Sequence, residues 1–100
     1  MLKAKQLRVI TPDGEVTITP LPKATMAQYE IISKAVGGPI ERIPYTANSW
    51  VNEEGCLINL PRNVVGRNEA HKLIIEKYRG VMDSEYSAYH GNVAIVEFAP

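Results

Sequence analysis

The stretch Ser49 to Asn63, SWVNEEGCLINLPRN, holds most of the side chains in this chain that could carry chemistry. Glu53 and Glu54 are adjacent carboxylates, and Cys56 is the single cysteine of the 100 residues. A cysteine attacks a substrate when an imidazole lies within hydrogen-bond reach and a third group orients that imidazole. His71 and His90 are the two candidate bases, but no local pattern sets either beside Cys56. A lone cysteine next to Leu57 and Ile58 reads better as a small packing residue. A Cys/His hydrolase is therefore a minor reading, and no catalytic residue is assigned. The two glutamates could act as acid and base or hold a metal. Neighbours in sequence rarely converge on one atom, however, and no His or Asp stands at ligand spacing. They read as solvated turn carboxylates, and no cofactor or metal is expected.

Two further groupings bear on binding. Tyr45, Trp50, Asn52, Arg62 and Asn63 cluster around the same stretch. Aromatic and amide side chains of this kind suit a surface that stacks a nucleobase and bonds its edge or ribose, with an arginine for a phosphate. The later stretch DSEYSAYHG adds Tyr86, Tyr89 and His90, able to close over a pocket or across a subunit interface. His71, beside Lys72, reads as a surface or boundary residue. VGGPIE has the glycines of a phosphate cradle but follows a helix, where carbonyls rather than amides face outward. It reads as a helix stop.

These residues need a frame to hold them. QLRVI and EVTIT alternate around TPDG, whose Pro and Asp-Gly mark a turn, so the chain opens with a hairpin. TMAQYEIISKAVGG follows as a helix of about three turns. Its Met26, Tyr29, Ile32 and Val36 lie at helical spacing, Thr25 and Gln28 form a capping box, and Gly37 stops it. PIERIPYT reads as a strand with a bulge or an edge position because of Pro44. SWV and CLINL read as two strands joined at NEEG, with Gly55 forming a left-handed bulge. NEAHKLIIEKYRG reads as a second helix, capped by Asn63 or Asn68, with Gly66 separating an earlier short turn from it. NVAIVEF closes the chain as a strand with apolar residues on both faces, which places it centrally. The expectation is one α+β domain over residues 1–100: a mainly antiparallel sheet with two helices, in the order β-β-α-β-β-β-α-β.

Composition limits what such a domain does. The chain is 45% hydrophobic and 22% charged, with eleven basic and eleven acidic residues. A net charge of zero argues against broad nucleic-acid binding, which draws on a surplus of Lys and Arg. It also offers little repulsion between copies, so a homo-oligomer is expected. No run is apolar enough for a membrane span, no signal-peptide core opens the chain, and one cysteine permits no internal disulfide. A cytoplasmic location is the default.

AVGGPIERIPY, NEEGCLINLPRN and the late HGNVAIVEF together resemble the domain of unknown function 3846 family. The stretches that carry the resemblance are Val36 to Glu41, Asn52 to Gly55, Leu60 to Asn63 and Gly91 to Phe98. It covers roughly the last three-quarters of the chain. The Tyr-containing stretch from Val81 to His90 and the opening hairpin depart from it. Members of that family look like proteins of phages, plasmids and bacterial mobile elements. The resemblance implies a small accessory or counter-defence protein, and it carries no established activity.

The expected function is accordingly a non-enzymatic accessory protein that binds a small polar, nucleotide-like ligand. Sequestering a nucleotide-derived host immune signal is one concrete form. The expected site comprises Tyr45, Trp50, Asn52, Glu53, Glu54, Arg62, Asn63, Tyr86, Tyr89 and His90. The alternative is an inhibitor or adaptor that docks a host protein through a sheet edge or a helix face. Neither nucleic acid nor membrane is an expected partner.

Overall fold

The computed structural model describes residues 3–44, 46–74 and 89–99. Two expected site residues, Tyr45 and Tyr86, lie outside that set, as do residues 75–80 of the expected second helix and residues 81–88 of the expected loop. The chain is α+β, and the described residues form five strands and two helices in the order β1 (Lys3–Ile10), β2 (Val16–Pro20), α1 (Thr25–Val36), β3 (Ile40–Arg42), β4 (Ser49–Asn52), α2 (Val64–His71) and β5 (Val93–Ala99). All strand pairs are antiparallel, and the sheet order is β2-β1-β5-β4-β3. No helix among the described residues is long and apolar enough to cross a membrane.

The opening hairpin forms as its turn chemistry requires. Gly14 N–H donates to Thr11 O, Thr11 N–H to Glu15 O, and Gly14 sits at φ 86°. This is a tight turn closed by a left-handed glycine, the geometry that Asp-Gly favours. At the other end of the chain, alternation along β5 sends Ala94 and Val96 to one face and Val93 and Ile95 to the other. Both sets are buried, because β5 is the middle strand with a helix on each face. On the α1 face Leu7, Val9, Ile32, Val36, Ala94 and Val96 pack together. On the α2 face the cluster is Ile10, Ile43, Val51, Ala70, Val93 and Ile95. Glu97 lies on that second face and pairs with Arg8 at 3.6 Å and Gln6 at 2.9 Å. Arg8 also reaches Glu69 of α2 at 3.8 Å.

Helix α1 differs from expectation at both its start and its buried face. Ala24 is the N-cap with no side-chain bond, and Gln28 instead reaches back to the carbonyls of Pro22 and Lys23. The capping box of Thr25 and Gln28 does not form, because Thr25 is already the first helical residue. Ile32 and Val36 are buried and Ile31 and Ala35 pack beside them, while Met26 stays 73% exposed. Gly37 ends the helix at φ 82°, its N–H bonded to Ser33 O.

The expected strand CLINL is not formed. NEEG is a turn, with Gly55 N–H on Asn52 O and Glu54 N–H on Asn52 Oδ1. Beyond it residues 53–59 continue as turns, with Asn59 at φ 58° and Leu60 N–H returning to Gly55 O. Strand β4 is flanked by β3 and β5, so no free edge remains for a hairpin partner. Gly55 does not take the expected left-handed bulge. It is there because a Cβ would lie 2.7 Å from the His90 carbonyl oxygen.

Helix α2 starts earlier than expected and runs through Gly66. A Cβ there would come within 2.6 Å of Val93 Cγ2 and 2.8 Å of the Asn63 side chain, so glycine lets the helix sit directly on β5. Asn63 caps the helix: Oδ1 accepts Gly66 N–H at 2.7 Å, while Nδ2 donates to Ile10 O at 2.8 Å and Gly91 O at 2.9 Å. The side chain, Ile10, Gly66 and Gly91 are all buried, so removing it takes a hydrogen-bond partner from each of these groups where water does not replace it. Asn63→Ala is expected to cost about 3 kcal/mol or more in urea unfolding, whereas the exposed neighbour Arg62→Ala should cost less than about 0.5 kcal/mol. Near-equal losses for the two variants would refute this account of Asn63.

Candidate ligand-binding site

The last turn of α1 exposes carbonyls that must find donors. Two asparagines supply them: Asn92 Nδ2 donates to Ala35 O at 2.9 Å and Asn52 Nδ2 to Val36 O at 3.2 Å. Asn52 is consequently buried and committed at both ends of its amide, and Asn63 is committed in the same way. Both side chains are buried and bonded to backbone, so these two expected ligand groups serve the fold's own main chain.

The remaining expected residues divide into two places. Trp50 lies half-buried on the α1 face, edge-on to Tyr29 at 5.7 Å and beneath the Arg42 guanidinium at 5.3 Å. The other place is the junction of NEEG, LPRN and the approach to β5. Arg62 pairs with His90 in an antiparallel bridge, Asn63 N–H donates to Tyr89 O, and Gly91 N–H donates to Pro61 O. His90 Nδ1 lies 2.9 Å from Leu60 O. Glu53 and Glu54 are exposed beside this junction, as is Arg62. The three motifs therefore converge, but Trp50 and Asn52 face a different side of the sheet.

Neither histidine forms a hydrogen bond with Cys56, which is exposed, among the described residues. Of the two readings of His71, surface or boundary, the second agrees with its burial at the last residue of α2. Its Nε2 lies 2.9 Å from the Tyr89 hydroxyl. No group of three His, Cys, Asp or Glu side chains suited to a metal occurs among the described residues.

Two grooves lie next to the junction, along the C-terminal half of α1. One groove of about 390 Å³ runs between the β1–β2 turn and LPRN, lined by Pro12, Asp13, Leu60, Pro61 and Gly91. A second of about 450 Å³ runs between α1 and β2, floored by Leu7, Val9 and Ile31 and walled by Thr11, Thr17 and Thr19. Both are bordered by Lys34, Ala35 and Asn92, so they meet at the end of the helix. Lys34 has no ion-pair partner among the described residues. The sequence gives little signal of this site. Lys34 reads as an ordinary last-turn cation, and the threonines read as the polar face of a strand.

Burial raises the Tyr89 hydroxyl above its ordinary pKa of 10.0, offset in part by the charge of Arg67. A raised folded pKa means that the neutral phenol is favoured in the native state. Its contribution is intact below the unfolded value and is lost as pH rises through the folded one. Stability measured by urea unfolding should therefore fall more between neutral pH and the region above about pH 10 for the native sequence than for Tyr89→Phe. Equal falls would show that Tyr89 does not couple to folding.

No protein-family model matches the chain, and neither a curated protein nor a solved structure matches it.

Proposed function

We propose that the chain is a non-enzymatic binding protein for a small anionic ligand of nucleotide type, held where the two grooves meet at the end of α1. The observation that carries this reading is Lys34, a cation with no ion-pair partner among the described residues, where grooves of about 390 and 450 Å³ meet; it also borders the groove of about 690 Å³ on the outer face of α1. Those sizes fall within the range of ordinary small-ligand sites, roughly 300–1,000 Å³. The chemistry of the walls fits the parts of a nucleotide. Leu60, Pro61 and Pro12 offer an apolar bed for a ring, and Asp13 offers an acceptor for an exocyclic amine or a sugar hydroxyl. Thr11, Thr17 and Thr19 supply hydroxyls along the second groove. One lysine suits the one or two charges of a phosphodiester or a diphosphate bridge better than the larger charge of a triphosphate, which favours cyclic or ADP-ribose-like nucleotides.

The resemblance to a family of phage and mobile-element proteins gives such binding a role. A protein that holds a nucleotide-derived immune messenger without converting it lowers the messenger's free concentration. It acts by stoichiometry and requires no catalytic group. A homo-oligomer acting in the cytoplasm is the form we propose for it.

Isothermal calorimetry against a panel of cyclic and ADP-ribose-type nucleotides tests the reading. At least one should bind, and Lys34→Glu should weaken it about tenfold or more by removing a charge-assisted contact. Silence across the panel would end this proposal. A second reading, docking onto a host protein, is favoured by the outer face of α1. There Met26 is 73% and Tyr29 40% exposed, beside an apolar groove of about 690 Å³ that ends at Pro39 and Ile40. One stoichiometric host partner on affinity capture, lost in Met26→Glu, would support that reading instead.

A further inference from the structure

The two edges of the sheet are treated differently by the sequence. Strand β3 is three residues long, stands between Pro39 and Pro44, and carries Glu41 and Arg42 exposed. Short length, charge and flanking prolines are how sheets protect an edge from pairing. Strand β2 has five residues, VTITP, all exposed and none charged. Val16 and Ile18 are each 51% exposed on the α2 face. Val65 adds a third exposed aliphatic group there, 3.8 Å from where a Gly14 Cβ would stand.

The hydrogen-bond pattern shows which backbone groups this edge offers. Thr11 N–H bonds Glu15 O and Leu21 N–H bonds Lys5 O at the two ends of the β1–β2 ladder. Bonded pairs alternate along an antiparallel ladder, and the register runs from Ile10↔Val16 to Gln6↔Pro20. Thr17 and Thr19 therefore direct their amides to β1, while Val16 and Ile18 direct theirs outward. Pro20, the third outward position, has no amide.

We propose that β2 pairs antiparallel with β2 of a second copy of this chain, about a two-fold axis at Ile18, to give a continuous ten-stranded sheet. In that register each Ile18 amide meets the Ile18 carbonyl of the second copy, and each Val16 amide meets the carbonyl of its Pro20. Both outward donors are satisfied, and proline falls where only an acceptor is needed. An axis at Pro20 would set two residues without donors against each other. An axis at Val16 would draw in Gly14, whose amide already bonds Thr11.

Charge selects this register as well. The axis at Ile18 places Asp13 opposite Lys23 of the second copy, twice over. Both residues are exposed, and neither has an ion-pair partner among the described residues. The same pairing sets Thr17 beside Thr19 of the second copy on the α1 face. The hydroxyl-bearing wall of the groove between α1 and β2 then continues across the axis, and each copy completes the other's site. The pairing itself does not depend on the proposed ligand.

Sedimentation of the full chain over a concentration series, with reductant present so that Cys56 cannot crosslink, tests the proposal. The native sequence should pass from monomer to dimer. Ile18→Lys, at an exposed position, should remain monomeric at concentrations where the native chain is dimeric, with an unchanged circular dichroism spectrum. Lys23→Glu should raise the dimer dissociation constant several-fold, and less so at high salt. A native chain that stays monomeric throughout would overturn the pairing. So would a folded Ile18→Lys dimer of native strength. If Ile18→Lys fails to fold, Lys23→Glu decides, and an unchanged dissociation constant would count against the proposal.

Discussion

The side chain of Asn63 joins three parts of the chain that are far apart in sequence. Its amide donates to the last residue of β1 and to the residue that leads into β5, and its carbonyl caps α2. Its own backbone N–H and C=O bond Tyr89 and Arg67. No other side chain of similar size does the same. Aspartate could cap the helix but would press a charge against two carbonyls, and serine is too short to span them. Once Asn63 is in place, the start of α2 lies against β5, and only glycine fits at residue 66. The position of α2, the burial of Ala70 and the fit of Val93 all follow from one carboxamide.

The same device closes the other helix. Of the terminal carbonyls of α1, that of Ser33 accepts from Gly37 and Gly38, that of Ala35 from Asn92 and that of Val36 from Asn52, so α1 is fastened to β4 and to the lead of β5 by side-chain amides. With those carbonyls satisfied, Lys34 is not required as a cap. It stands at the helix end without an ion-pair partner among the described residues, where the grooves meet. The fold thus produces the candidate site as a consequence of how it terminates a helix.

Much of the scaffold was legible from residue patterns alone. TPDG specifies its own turn, Gly37 specifies the end of α1, and the two-faced apolar pattern of β5 marks a central strand. These are local signals, or signals of burial, and the physics behind them acts within a few residues. CLINL was misread because its alternation carries no information about whether a strand edge is free beside it. Gly66 looked like a helix breaker because its necessity comes from Val93, which is distant in sequence. The site residues were less legible for a related reason, although Asn63 was also read as a helix cap, which it is. A buried asparagine that bonds backbone and an exposed one that bonds a ligand are the same letter, so Asn52 and Asn63 looked like recognition groups. Lys34 and the β2 threonines looked ordinary because only the tertiary fold gathers them.

The zero net charge of the chain conceals a division between its two faces. On the α2 face, Arg8 lies between Glu69 and Glu97, and Lys72 pairs with Glu69 at 3.3 Å, so the charges there are consumed internally. On the side of β2 and α1, Asp13, Lys23 and Lys34 have no such partners among the described residues. Partnered charges are largely neutralised in place, whereas unpartnered ones keep their field for whatever approaches. The exposed backbone donors of β2 lie on this same side, next to the row of threonines. Opposite charges at the two ends of a strand with free amides favour an antiparallel neighbour over a parallel one, since only the antiparallel arrangement brings unlike ends together. An interface of this kind and a groove that ends at Lys34 share the wall formed by Thr17 and Thr19. Occupation of either therefore alters the surroundings of the other.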